Sequence, residues 1–125
     1  MSLSGAHRAA FRREAPREGR VFTIRDATGF PSPGDADGNR ALPFWSRSSR
    51  ARRVIDHVAA YRDFEVVEID LDDWLTRWLP GLDRDGYLVG LNWSGARATG
   101  YDVAPDQVIA WFTGSADPDD GVDRR

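Results

Sequence analysis

Residues 64–93, FEVVEIDLDDWLTRWLPGLDRDGYLVGLNW, decide the fold, because the spacing of their apolar side chains changes twice. Alternation over the first eight residues predicts a strand with Val67, Ile69 and Leu71 facing inward. A spacing of three and four residues then predicts a helix, and alternation returns in a second strand. The unit indicates a domain built from both helices and sheet.

The helix in this stretch has a marked start and a marked end. Asp70 is predicted to cap its first turn, where the helix dipole favours acidic side chains. Pro80 and Gly81 are expected to end it. Its buried stripe is predicted to consist of Trp74, Leu75, Trp78 and Leu79. The strand that follows is predicted to place on one face Tyr87, Val89, Leu91 and Trp93.

The residues before this stretch predict a helix and two short strands. The helix begins near Leu3, and Pro16 is expected to end it. Residues 19–26 and 40–45 are rich in strand-forming side chains, and Pro43 places the second strand at a sheet edge.

Two further predictions concern the neighbours of the strand at 40–45. A returning strand that opens at Phe30 is expected to be short, because Pro31 and Pro33 interrupt it. A helix of about 47–61 is expected to follow the strand, with Ser46 as its N-cap.

On the C-terminal side, residues 94–97 are predicted to link the second strand to a partner at 98–103, which gives a hairpin. Pro105 favours the first turn of a last short helix. Residues 1–113 are thus predicted to form a single α+β domain, with a mostly antiparallel sheet of five or six short strands packed with three or four helices. The acidic residues 114–125 predict a disordered tail.

The composition excludes several kinds of chemistry. The chain has no cysteine and no lysine, so thiolate metal sites, cysteine nucleophiles, lysine Schiff bases and a P-loop lysine are ruled out. Its apolar runs are too short to span a membrane, and its start lacks the apolar segment of a secretory signal, which predicts a cytoplasmic protein without a membrane partner. No cofactor is predicted.

Charge is divided unevenly along the chain. Residues 1–62 carry twelve arginines and six acidic side chains, a net charge of +6. Residues 63–125 carry five arginines and fourteen acidic side chains, a net charge of −9. This division indicates either a globule whose halves neutralise each other or a dipolar surface that meets a charged partner.

Several short patterns occur in the order and spacing of a known family. They are Gly29-Phe30, Asp37-Gly38, Leu42-Pro43, Trp45-Ser46, Leu79-Pro80-Gly81-Leu82 and Asp85-Gly86. Over roughly residues 20–110 the chain resembles the bacterial family known as domain of unknown function 2750. The resemblance implies a small cytoplasmic bacterial domain. Because none of the patterns is chemically specific, it implies no catalytic residues.

Catalysis and metal binding are poorly supplied with candidate residues. Residues 35–39, DADGN, match the start of a calcium-binding loop, but the sixth position holds Arg40 instead of glycine and the twelfth holds Ser46 instead of glutamate. His57 lies on the same predicted helix as Ser49, too far along it for a nucleophile–base pair. No metal site and no catalytic residue is predicted, and the chain is expected not to be an enzyme.

The strongest candidate for a binding site is the helix start within residues 42–58, LPFWSRSSRARRVIDHV. Helix N-terminal amides, serine hydroxyls and arginines attract phosphate or carboxylate groups, and Trp45 is expected to add a partly exposed stacking face. The candidate residues are Trp45, Ser46, Arg47 and Arg50. The alternative is a solvated basic face whose arginines pair with Glu65, Glu68 and Asp70.

The sequence leaves two functions open. The first is a non-enzymatic protein-interaction module, by analogy with immunity or antitoxin proteins, because an acidic half is suited to neutralising a basic partner. The second is an anion- or nucleotide-binding domain that uses the helix start at Trp45–Arg50. Nucleic acid is not an expected partner, because the net charge is −3 and the basic patch is short.

Overall fold

The computed structural model describes residues 3–34, 38–94 and 99–113, and within them lie four helices and five strands. The helices are α1 (Leu3–Glu18), α2 (Ser48–His57), α3 (71–84) and α4 (Pro105–Thr113), and a 3-10 turn at Ala59–Tyr61 follows α2. The strands are β1 (Arg20–Arg25), β2 (Ala41–Phe44), β3 (Glu65–Asp70), β4 (Leu88–Ser94) and β5 (Thr99–Val103). The predicted α+β class is confirmed.

The strands form two small sheets. β1 pairs antiparallel with β3, while β4 lies between β2, which runs parallel to it, and β5, which runs antiparallel. The sheets meet where Phe22 and Trp45 exchange backbone hydrogen bonds of 2.8 and 2.7 Å. β2 forms one edge of its sheet, as Pro43 indicated.

Apolar side chains of the strands pack into two hydrophobic clusters. The first cluster, which α1, α3 and α4 help to form, includes Phe11, Phe44, Trp74, Leu91 and Val108. The second cluster, to which α2 contributes, includes Phe22, Trp45, Ile55 and Trp93. Helices therefore cover both faces, which is how a sheet with two apolar faces is kept from water.

The inward face predicted for β3 is confirmed for Val67 and Ile69, whereas Leu71, which also packs against the first cluster, begins α3. The face predicted for β4 is wrong at its end. Val89 and Leu91 lie in the first cluster as expected, whereas Trp93 lies in the second. The reason is Asn92, whose φ of 51° accompanies a break in the β4–β5 register between Leu91 and Ser94. One extra residue in a strand turns the following side chains to the opposite face.

Pro16 does not end α1 as predicted. The helix continues to Glu18 with the proline inside it; the proline lacks the N–H that would bond four residues back. Gly19, at a φ of 70°, follows the last helical residue, and its N–H donates to the Ala15 carbonyl at 2.9 Å. A glycine in the left-handed region is the usual helix terminator.

Pro80 does not end α3 either. The helix has a π-helical turn at Trp74–Trp78, where the Leu79 N–H donates to the Trp74 carbonyl, and it then continues as α-helix to Arg84. The wider turn interrupts the regular hydrogen-bond ladder where the proline has no N–H to contribute. The cap predicted at the other end is confirmed, since the Asp70 carboxylate accepts from two backbone N–H groups of the first turn.

Three other predictions have different outcomes. Residues 30–33 form no strand, whereas Pro105 begins α4 as expected. Parts of the 35–39 loop and of the 94–97 link, and all of the 114–125 tail, lie outside the described residues. Among those that the structure describes, no helix has the length and apolar character needed to cross a membrane.

Candidate anion-binding pocket

The start of α2 is built around a buried carboxylate from α1. Glu14 is only 6% exposed. Ser46 Oγ donates to Glu14 Oε1 at 2.7 Å, and Arg50 donates from Nη1 to Oε1 and from Nη2 to Oε2, the latter at 3.1 Å. Arg47 lies farther out, with Nε 3.5 Å from Oε2. Glu14 thereby supplies the negative charge that the first turn of α2 lacks.

Asn92 connects β4 to the same network. Its Oδ1 accepts from the Ser46 N–H at 3.0 Å, and its Nδ2 donates to Ser46 Oγ at 3.0 Å. Asn92 is 3% exposed and Ser46 is fully buried, so these bonds satisfy polar atoms that water does not reach. Asparagine tolerates the left-handed backbone of the bulge better than most side chains do.

Two roles predicted for this segment are wrong. Trp45 is fully buried and its Nε1 donates to the Trp93 carbonyl at 2.8 Å, so it offers no exposed stacking face. Ser46 is not the N-cap, because its hydroxyl is engaged in the buried network. α2 begins at Ser48, and Arg47 holds the cap position without a side-chain cap bond.

The ion pairs predicted for a solvated basic face are also different. Glu65 pairs with Arg25 at 3.4 Å and Glu68 with Arg20 at 3.2 Å, both between β3 and β1, while Asp70 caps α3. The arginines at the start of α2 meet the carboxylate from α1 instead. Both strand pairs join the basic half of the sequence to the acidic half, which favours internal neutralisation over a dipolar surface.

A pocket of about 500 Å³ lies beside this network, between α1 and α2 and at the end of β4. Its polar lining consists of His7, Arg50, Arg53, His57, Asn92 and Ser94. Its apolar lining consists of Ala6, Ala10, Val54 and Trp93. This lining, as far as the chain is described, holds no acidic side chain. Of the four residues predicted to bind a ligand, Arg50 lines the pocket.

Trp93 forms a fixed wall of the pocket. Its Nε1 donates to Asp102 Oδ1 at 2.9 Å, and its indole lies close over Gly90, where a Cβ atom would come within 2.4 Å of the ring. Glycine at position 90 therefore lets the indole lie flat against its own strand.

His7 and Ser94 form a hydrogen-bonded pair in the pocket, with Nε2 and Oγ 3.2 Å apart. Burial, and then the charge of Arg50, lower the pKa of His7 and favour its neutral form. A catalytic serine–histidine pair needs a third group to orient the imidazole. The buried Nδ1 has no hydrogen-bond partner among the described residues, so the pair can bind a polar group but lacks that orienting contact.

Arg53 and His57 are exposed and lie one turn apart on α2. His57 Nδ1 lies 3.1 Å from the Arg53 carbonyl oxygen. Within the described ranges no carboxylate forms an ion pair with the Arg53 guanidinium, nor do three histidine, aspartate or glutamate side chains come together as a metal site. Arg53 is therefore an uncompensated cation in the pocket lining.

Sequence reasoning missed most of this pocket. One signal was available, because Arg50, Arg53 and His57 lie off the apolar stripe of α2 at i, i+3 and i+7, which places them on one helix face. No comparable signal connects them with His7 and Ser94, which are 87 residues apart.

The Glu14 network is expected to make the fold sensitive to acid. Burial raises the pKa of Glu14, but hydrogen bonds from Arg50 and Ser46, together with the charges of Arg50 and Arg47, outweigh it and hold the pKa below its ordinary value. Such a carboxyl contributes stability at neutral pH that is lost as the pH falls through its folded-state pKa. We expect this group to leave the free energy of urea unfolding unchanged above about pH 5. The free energy should fall as the pH drops below the ordinary pKa value of 4.5, and should fall less in Glu14→Gln. The same pH dependence in both proteins would contradict this.

Comparison with known proteins gives a family and no activity. The family model described as protein of unknown function (DUF2750) matches residues 8–111. The chain therefore belongs to this family, and the resemblance stated from its sequence is confirmed. Curated protein sequences give no match. Among solved structures the chain is similar to one described as Anabaena Tic22 (protein transport), with 12% identity and a TM-score of 0.41 over 70% of this chain and 45% of that one. The chain thus spans less than half the length of that protein.

Proposed function

We propose that this member of the DUF2750 family is a non-enzymatic binding domain whose pocket takes a small organic anion. The observation that supports this most directly is the pocket lining, which combines two arginines and two histidines with four apolar side chains. The volume of about 500 Å³ lies within the range of roughly 300–1,000 Å³ that small-ligand sites occupy.

The two kinds of lining suit the two ends of such a ligand. The exposed Arg53 guanidinium offers paired N–H donors that match the two oxygens of a carboxylate. Ala10, Val54 and Trp93 offer an apolar surface to the rest of the molecule. His7 and Ser94 add hydrogen-bonding groups between the two regions.

The absence of enzymatic activity is part of the proposal. The His7–Ser94 pair is the part of the described chain that most resembles catalytic machinery, and the orienting partner that a general base requires is not found on His7 Nδ1. Hydrolysis of 2-naphthyl acetate that Ser94→Ala abolishes would contradict this part of the proposal.

The protein-interaction module stays a prediction from size and charge. Interaction surfaces are commonly marked by contiguous apolar patches. Among the described large apolar side chains, Phe30 is the exposed one, at 37%, and its ring packs edge-on against Trp78. The pocket is therefore the better-supported site.

The proposal is tested with 2-naphthoate and its neutral analogue 2-naphthalenemethanol, titrated into the full chain and followed by backbone amide chemical shifts. We expect naphthoate to bind with a Kd on the order of 1 mM or tighter, and the alcohol to bind about tenfold more weakly. The shifted amides should belong to α1, α2 and the end of β4.

Arg53→Gln should weaken naphthoate binding about tenfold, because it removes a charge-assisted pair of hydrogen bonds. Arg52→Gln is the matched control, since Arg52 is an exposed neighbour on α2 that does not line the pocket. Equal binding of the acid and the alcohol, or equal loss in both variants, would show that the pocket is not an anion site.

A further inference from the structure

We propose that the pocket selects a carboxylate over the corresponding phosphate. This inference rests on the proposed function, because it names the chemical class of the ligand for the same pocket. The observation that carries it is the unequal state of the two guanidinium groups in the lining.

Arg50 is already engaged by a carboxylate of the protein. Both of its terminal nitrogens donate to Glu14, and Nη1 also lies 3.1 Å from Ser46 Oγ. Glu14 is held in place by Ser46 and is shielded from water. A ligand therefore meets Arg50 as one half of an ion pair and not as a free cation.

Arg53 is in the opposite state. It is exposed at the pocket and forms no ion pair with a described carboxylate, so it is the guanidinium that a ligand can engage without displacing a protein group. The other arginines near Glu14 are Arg13 and Arg47, at 3.9 and 3.5 Å. They do not line the pocket, so a ligand inside it contacts neither guanidinium.

One free guanidinium matches one negative charge. A carboxylate is neutralised by a single bidentate contact with Arg53. A phosphate monoester carries nearly two negative charges near pH 8, so a single contact with Arg53 leaves about one of them uncompensated, because Glu14 already neutralises Arg50. The dianion also costs more to desolvate than a carboxylate. The same reasoning disfavours a nucleotide as the ligand.

The test uses 2-naphthoate and 2-naphthyl phosphate, which share their aromatic body and differ in charge. Both are titrated by calorimetry into the full chain at about pH 8, above the ordinary titration range of histidine. We expect naphthoate to bind about tenfold more tightly than naphthyl phosphate.

Glu14→Gln then tests the cause of the preference. It removes the negative charge but keeps an oxygen that can accept from Arg50 and Ser46. We expect about tenfold tighter binding of the phosphate and about threefold tighter binding of naphthoate, since the dianion gains twice the free energy of the monoanion. Arg13→Gln, which touches Glu14 from outside the pocket, is the control and should leave the preference unchanged.

The outcomes separate this inference from the proposed function. Binding of both probes with equal affinity, or tighter binding of the phosphate by the wild-type chain, overturns the inference and leaves an anion-binding pocket. If Glu14→Gln raises the affinity for both probes by the same factor, Glu14 is not the cause of the preference for the carboxylate. If neither probe binds, the proposed function is overturned, and the inference is overturned with it. The wild-type preference is measurable even if Glu14→Gln does not fold.

Discussion

Replacing Trp74 by alanine is expected to lower the free energy of unfolding by about 3–5 kcal/mol, as the loss of a large core aromatic does. Trp74 is fully buried on α3. Its ring centroid lies 5.4 Å from that of Phe11 and 5.3 Å from that of Phe44, with Phe112 at 6.4 Å. The side chain therefore joins α1, β2, α3 and α4 in the first cluster, and urea unfolding measures its contribution.

Two variants serve as controls for this measurement. Trp78→Ala removes an equal volume from the same helix, but Trp78 is only partly buried, so we expect roughly half the loss. Trp74→Phe keeps an aromatic ring and removes a buried indole N–H that has no hydrogen-bond partner among the described residues, so its loss should stay below about 2 kcal/mol. Equal losses in the two alanine variants would contradict the assignment of Trp74 as the better-buried of the two.

Asn92→Ala is expected to cost about 2–4 kcal/mol. The substitution leaves the buried Ser46 N–H without its acceptor, which costs about 1–3 kcal/mol. It also places alanine at a φ of 51°, which adds about 1 kcal/mol. Chemical denaturation with a second probe in the far ultraviolet checks both the size of the effect and the two-state behaviour.

Asn92→Gly separates the two contributions. Glycine adopts the left-handed backbone without strain but supplies no amide, so it should recover about 1 kcal/mol of the loss and no more. Full recovery in the glycine variant would show that backbone strain, and not the Ser46 contacts, makes Asn92 important. No loss in either variant would contradict the buried network.

The features predicted correctly are those whose causes lie within a few residues. β3 follows from local alternation and β1 from its strand-forming side chains. The Asp70 cap follows from a carboxylate that reaches two backbone N–H groups within three residues. The edge position of Pro43 follows from its missing N–H. In each case the physical reason operates inside a single element.

The features predicted wrongly depend on partners far along the chain. Ser46 has the side chain of an N-cap, but Glu14 lies 32 residues before it and Asn92 46 residues after it. The bond from Ser46 Oγ to the Glu14 carboxylate is charge-assisted, and such bonds are stronger than those between neutral groups. Trp93 was assigned to the wrong face because nothing in local alternation reveals the bulge at Asn92. No single-element pattern could have revealed these contacts.

The pocket illustrates the same limit for function. The helix start that the sequence indicated lies beside the pocket. There Glu14 already accepts hydrogen bonds from Ser46 and Arg50. The arginine that lines the pocket without an ion pair to a described carboxylate is one turn farther along, at Arg53. The sequence predicts which helix face each arginine occupies. Whether an arginine pairs with a carboxylate depends on residues that only the fold brings close to it.

Steric blocking of the pocket tests the central claim most directly. Ala10 lines the pocket from α1, and Ala10→Leu adds volume there without altering any charge. Ala9→Leu makes the same change at an exposed neighbour on the helix and is the matched control. We expect calorimetric titration with 2-naphthoate to show binding by the wild-type chain and by Ala9→Leu, and at least about tenfold weaker binding by Ala10→Leu. Unchanged naphthoate affinity in Ala10→Leu would show that the ligand does not occupy this pocket.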